Sequence, residues 1–182
     1  METQFKYTTC WEAAGQGDLE ELKNMFENGV QWDNKTISCA ANNGHLDCLS
    51  YAHENGCPWG KYATSSSAWY GRLDCLQYTH ENGCEWHENT TSSAAYNGRL
   101  DCLRYAHENG CPWGDYTAEH AALNRNFDCL RYAIENGCPF DPSNEQINQF
   151  IVNLKSLKKV TTKASENHIS SNVINHVVAK FI

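Results

Sequence analysis

Basic residues are scarce in this chain. Fourteen Lys and Arg stand against 22 Asp and Glu, a formal net charge of −8 over 182 residues. The shortage lies in the body. Residues 143–182 carry Lys155, Lys158, Lys159, Lys163 and Lys180 against Glu145 and Glu166, a net +3, which leaves −11 for residues 1–142. An acidic body repels phosphate backbones, so nucleic acid is not an expected partner. Long apolar runs are also missing. None approaches the ~20 residues that span a bilayer, so a membrane is not expected either. The opening Met1-Glu2-Thr3-Gln4-Phe5-Lys6 lacks the basic and apolar regions of a signal peptide. The expectation is an intracellular protein, cytoplasmic or nuclear. Its ten cysteines then read as thiols acting as small buried hydrophobes. There is no glycine-rich phosphate loop and no nucleophile elbow. The chain therefore does not read as an enzyme, with no catalytic residues and no cofactor expected.

What the chain has in abundance is one repeated stretch. GHLDCLSYAHENGCPW at 44–59 returns as GRLDCLQYTHENGCEW at 71–86 and GRLDCLRYAHENGCPW at 98–113. Looser copies are GDLEELKNMFENGVQW at 17–32 and NFDCLRYAIENGCPF at 126–140. Glu-Asn-Gly falls at 27–29, 54–56, 81–83, 108–110 and 135–137, a step of 27 residues without insertion. A fixed period in this range marks a stacked array.

Each unit reads as two short helices. Ala13-Ala14, Ala40-Ala41, Ser67-Ala68, Ala94-Ala95 and Ala121-Ala122 supply small residues at a fixed place, which lets helices approach closely. Thr9, Thr36, Thr90 and Thr117 precede these pairs as candidate N-caps, with Ala63 the exception. The spacing predicts a first helix over 36–43, ended by Asn43-Gly44 through a left-handed glycine. In the fifth unit Arg125 replaces that glycine, which predicts a looser or strained turn. A second helix is predicted over 45–55, with Leu46, Leu49, Ala52 and His53 on one face and Asp47 in the first turn. Asn55-Gly56 caps it, and Pro58 stops it. One such pair cannot bury its own apolar faces, but stacked neighbours can.

The pattern Thr36…Ala40-Ala41…Asn43-Gly44-His45-Leu46-Asp47…Glu54-Asn55-Gly56 resembles the ankyrin repeat. The resemblance covers about residues 5–142. It implies an all-α solenoid of about five stacked helix-turn-helix repeats, at about 5–32, 33–59, 60–86, 87–113 and 114–142. It also implies a non-catalytic scaffold for protein–protein interaction. The unit is six residues shorter than that family's, so its connectors are shortened, and the family's threonine-proline-leucine-histidine signature is absent. The ending ENGCPW is similar to short repeats of this type expanded in large DNA viruses of protists. That likeness implies a viral protein and a host protein as partner.

Residues 143–182 lie outside the period. Asp141-Pro142-Ser143 is the expected start of a helix bearing Ile147, Phe150, Ile151, Leu154 and Leu157. A polar break follows at Thr161-Thr162-Lys163, then a second amphipathic stretch with Ile169, Val173, Ile174, Val177, Val178 and Phe181. This segment reads as a C-terminal helical cap over the last repeat's open core. It also reads as a helix that docks on a partner or on a second copy, making the chain a self-assembling structural protein.

Cys48, His53 and Cys57 recur as Cys75, His80, Cys84 and as Cys102, His107, Cys111, a tempting zinc pattern. Other copies place Phe26, Ile134 and Val30 at these slots, which marks packing rather than ligation. Residues 48 and 53 also diverge by ~140° around a helix. Stacked helices stand about 8–10 Å apart, too far for equivalent side chains to share an ion. No metal site is expected, and the histidines read as buried partners for backbone carbonyls. The column Trp32, Trp59, Trp86, Trp113 and Phe140 reads as a packing ladder. Partner recognition is expected where the copies disagree. The candidates are Tyr62, Trp69, Tyr70, Arg72, His87, Tyr96, Arg99 and Tyr116, since Trp, Tyr and Arg are favoured at interfaces.

Overall fold

The computed structural model describes residues 5–33 and 35–166. The chain divides into two compact units, Met1–Pro139 and Phe140–Ile182. Among the described residues there are eleven helices and no strand. Ten belong to the first unit and alternate along it. The first helices of the five pairs are α1 (Cys10–Gln16), α3 (Thr36–Asn43), α5 (Ala63–Tyr70), α7 (Thr90–Tyr96) and α9 (Thr117–Leu123). The second helices are α2 (Leu19–Glu27), α4 (Leu46–Glu54), α6 (Leu73–Glu81), α8 (Leu100–Glu108) and α10 (Phe127–Glu135). First helices pack on first helices and second on second, giving two layers that advance together by one unit per repeat.

The small residues set the spacing of the first layer. Both members of each Ala-Ala or Ser-Ala pair are buried, from Ala13 and Ala14 to Ala121 and Ala122. Between the layers runs a column of fully buried leucines, Leu22, Leu49, Leu76, Leu103 and Leu130, one per second helix. Cys48, Cys75, Cys102 and Cys129 are buried beside them. Burying each leucine contributes roughly 2 kcal/mol. The ion pairs Lys6–Asp18, Lys23–Glu20 and Arg131–Asp128 lie at the surface, where such pairs contribute about 0–1 kcal/mol. The leucine column therefore dominates.

Both turns of each unit close in the predicted way. At the first, the Gly44 N–H bonds the Ala41 carbonyl and the His45 N–H bonds the Ala40 carbonyl, with Gly44 at φ 80°. At the second, the side-chain amide of Asn55 donates to the Tyr51 carbonyl at 2.8 Å, and Asn82, Asn109 and Asn136 repeat the contact. Arg125 keeps the same backbone bonds as its glycine counterparts while sitting at φ 59°, so the turn is strained rather than rebuilt. Tyr116 is the second non-glycine residue at positive φ, 60°, and no sequence signal announced it.

Thr9 is the N-cap of α1 as expected, but the other three threonines depart from expectation. Thr36, Thr90 and Thr117 occupy the first helical position, one residue inside the cap, and their side chains are buried. Their hydroxyls serve the connectors instead. Thr90 Oγ1 donates to the His87 carbonyl at 2.8 Å and Thr117 Oγ1 to the Gly114 carbonyl at 2.7 Å. One residue on, Thr64 Oγ1 accepts from the His87 N–H at 3.0 Å, and Thr91 Oγ1 accepts from the Gly114 N–H at 2.7 Å. Thr90 and Thr117 thus hold the connector that leads into their own helix, and Thr64 and Thr91 tie their helices to the connector of the next repeat. These short connectors need no strand pairing to satisfy their backbone.

In the second unit α11 spans Glu145–Glu166. It starts two residues later than expected, because Asp141 folds back on Ser143 and Asn144 Oδ1 takes the Ile147 N–H. It runs through the expected break at Thr161-Thr162-Lys163. The second amphipathic stretch, 169–181, lies outside the described residues.

Gly71 and Gly56 allow a direct test of turn strain. Both sit at positive φ, but a Cβ on Gly71 would lie 2.7 Å from Arg99 Cδ, whereas Gly56 faces open space. Each Gly→Ala change should cost about 1 kcal/mol in backbone strain. Urea denaturation should show the larger loss at Gly71, with the excess vanishing in an Arg99→Ala background. Equal losses in the native background would mean that Arg99 moves aside freely.

Candidate recognition surface

The first helices leave one side uncovered, and their helical period decides which residues stand there. Positions i, i+4 and i+7 share a face. On α5 and its cap these are Tyr62, Ser66 and Trp69. On α7 they are Asn89, Ser93 and Tyr96, and on α9 Tyr116, His120 and Leu123. Solvent exposure is 53% at Tyr62, 40% at Trp69, 47% at Tyr70, 36% at Tyr96, 67% at Tyr116 and 68% at Leu123.

The rings are organised across repeats. Trp69 stacks on Tyr96 with centroids 5.1 Å apart and planes at 16°. Tyr96 meets His120 edge-on at 5.4 Å, and Tyr116 lies 6.2 Å from the same His120. Tyr62 packs obliquely on His87 at 5.0 Å. The structure thus brings Trp69 together with Tyr96 and Tyr62 with His87. Tyr70 stands beside Trp69 at the end of α5. Arg72 and Arg99 play a further part. Each reaches back over the preceding repeat, Arg72 across Gly44 and Arg99 across Gly71, and Arg72 Nε donates to the Asn42 carbonyl at 3.3 Å. They cover the open ends of α3 and α5 while remaining exposed. Asn126 does the same for α7, donating to the carbonyls of Ala95 and Tyr96.

His120 was missed at the sequence level. It falls in the column Cys39, Ser66, Ser93 and His120, whose variation was the available signal. Its Nδ1 is buried without a hydrogen-bond partner among the described residues.

On the second helices the histidines do something other than expected. They are half-buried, and their partners are tyrosines of the next repeat, not backbone carbonyls. His53 Nδ1 lies 3.3 Å from the Tyr78 hydroxyl, His80 3.2 Å from Tyr105 and His107 3.0 Å from Tyr132. Each ring also stacks on its own repeat's tryptophan, His53 on Trp59 at 4.1 Å, His80 on Trp86 at 4.3 Å and His107 on Trp113 at 4.2 Å. Phe26 stacks on Trp32 at 4.3 Å in the same slot. Trp32 and Trp86 Nε1 donate to the carbonyls of Asn55 and Asn109, one repeat on. This aromatic ladder links neighbouring repeats and leaves the imidazoles committed to packing. Among the described residues no cluster of three or more His, Cys, Asp or Glu is placed to hold a metal ion. No described helix is long and apolar enough to cross a membrane.

No family model and no curated protein matches the sequence. Solved structures do. The fold is similar to that of the human ASB11 ankyrin repeat domain, with a TM-score of 0.62 at 20% identity, over 73% of this chain and 71% of that one. At this identity the likeness concerns the fold, which is that of an ankyrin-repeat solenoid.

The buried thiols yield a pH prediction. Burial pushes Cys48, Cys75, Cys102 and Cys138 up to about 12. It pushes Cys57, Cys84, Cys111 and Cys129 up to about 11. The ordinary value is 9.0. An unfolded chain would release these protons near 9 while the folded chain holds them. Stability is then full below pH 9 and falls as pH rises through 9 towards 11. The melting temperature should drop steeply over that window after little change from pH 7 to 8. A flat profile up to pH 11 would show that the thiols are not sealed.

Proposed function

We propose that the chain is a non-catalytic protein-interaction scaffold whose recognition surface is the uncovered face of the first helices. The observation that carries this reading is the exposed aromatic row of Tyr62, Trp69, Tyr70, Tyr96 and Tyr116. Packing within the array does not require large rings there, since α3 fulfils the same structural role with Lys35, Asn42 and Asn43. Aromatic residues presented on a rigid framework are the usual anchors of a protein interface. Arg72 and Arg99 add exposed cations at the edge of the row, and His87 buttresses Tyr62. The fold supports the reading as well, because stacked repeats offer an extended face. The likeness of the ENGCPW ending to viral repeats supports a host protein as the partner.

Residues 143–182 we assign as the cap of the array. Stacked repeats leave an open core at each end, and a terminal element must cover it. The competing use is self-association through an apolar face, which Val152, 56% exposed on α11, keeps in view.

Two experiments test these assignments. Affinity capture from host-cell lysate should lose its main partners in a Trp69→Ala/Tyr70→Ala/Tyr96→Ala variant that melts within a few degrees of the native chain. Identical partner sets would remove this face from consideration. Truncation to residues 1–142 should cost solubility if the segment is a cap. A dimer that becomes a soluble monomer would instead establish self-association.

A further inference from the structure

The uncovered face has a finer structure that points to the chemistry of its partner. Between the ends of α5 and α7 the floor is low. Ser66 and Ser93 lie one turn from Tyr62 and Asn89 on one side and from Trp69 and Tyr96 on the other. Two turns of helix separate the sides, about 10 Å, enough for one extended strand. At one end the floor rises, because His120 takes the serine slot and packs edge-on against Tyr96. The serines differ from their neighbours. Ser65, Ser67 and Ser92 spend their hydroxyls on carbonyls of their own helices, whereas the hydroxyls of Ser66 and Ser93 bond nothing among the described residues. They remain half-exposed, ready for a main chain laid across them.

Charge narrows the choice. Lys61, Arg72 and Arg99 stand beside this strip, and among the described residues none of the three pairs with a carboxylate. Lys61 instead lies over the ring of Tyr62. In a body of net charge −11, three such cations beside one aromatic strip form a local exception, although Glu88 takes the slot of Lys61 on the next repeat. Arg72 and Arg99 sit one repeat apart, about 8–10 Å, the reach of roughly three residues of extended chain.

We propose that the strip over α5 and α7 binds an extended acidic peptide segment, its carboxylates facing Arg72 and Arg99 and a large apolar side chain seated against the stacked Trp69 and Tyr96. This rests on the scaffold reading above and names the partner's chemistry.

Selection of a random linear twelve-residue peptide library on the full chain is the test, with synthetic copies of the enriched peptides titrated by fluorescence polarisation. The expected result is enrichment of Asp and Glu within three residues of a Phe, Trp or Leu. Affinity should fall at least about tenfold, 1.4 kcal/mol, in both Arg72→Glu/Arg99→Glu and Ser66→Trp, and should weaken as salt rises. Melting curves accompany both variants. Because Ser66→Trp leaves the arginine covers in place, it tests the strip even if the charge reversal unfolds. Basic or neutral enriched peptides would overturn the proposal, as would acidic peptides that bind both folded variants as well as the native chain. Tighter binding of a ten-residue oligouridine than of any peptide would overturn it too. Failure to enrich any peptide, with partner capture still lost in the Trp69/Tyr70/Tyr96 variant, would sink the acidic segment and leave the scaffold reading standing.

Discussion

A helix of seven to nine residues is too short to persist alone in water. Every helix of the array depends on the neighbour that buries its apolar side, and that dependence governs the rest of the first unit. It requires small residues where first helices meet, which the Ala-Ala and Ser-Ala pairs supply. It requires one large apolar side chain per repeat between the layers, which the leucine column supplies. It also requires a strict register, because a repeat of another length would move its leucine out of the column.

The register is held at three depths. At the core the leucines and cysteines form a continuous apolar column. At the connectors, buried threonine hydroxyls take main-chain donors of the following repeat, so a connector with no strand still satisfies its backbone. Along the second helices, each histidine is sandwiched between its own tryptophan and the next repeat's tyrosine. The imidazole there joins a polar contact to a flat apolar face, which explains why Phe26 fills the slot in the first repeat, where no hydroxyl contact is made, and still stacks on Trp32.

The proposed recognition face and the stacking surfaces are separated but not fully. Trp69, Tyr70 and Tyr96 project from positions that the array leaves free. Arg72 and Arg99 would serve both purposes, since each covers a helix end of the preceding repeat while keeping its charge at the surface. The backbone of the array thereby presents its cations at intervals of one repeat, beside rings presented at the same interval.

The period of 27 residues, the helix pairs, the glycine and asparagine turns and the strained Arg125 turn could all be read from the chain itself. Each is a local matter of backbone preference or of apolar spacing along one helix. The duties of the threonines, the histidine–tyrosine contacts and the place of His120 could not. Those depend on which side chains of one repeat meet the next, a separation of about 25 residues that no periodicity within a helix encodes. The same holds for the proposed recognition strip. The sequence marked Trp69, Tyr96 and the arginines as departures from the repeat, but only the tertiary structure decided that the rings stack and that the arginines turn back over their neighbours. Side-chain direction is set by how the layers pack, and packing is a property of the assembled array.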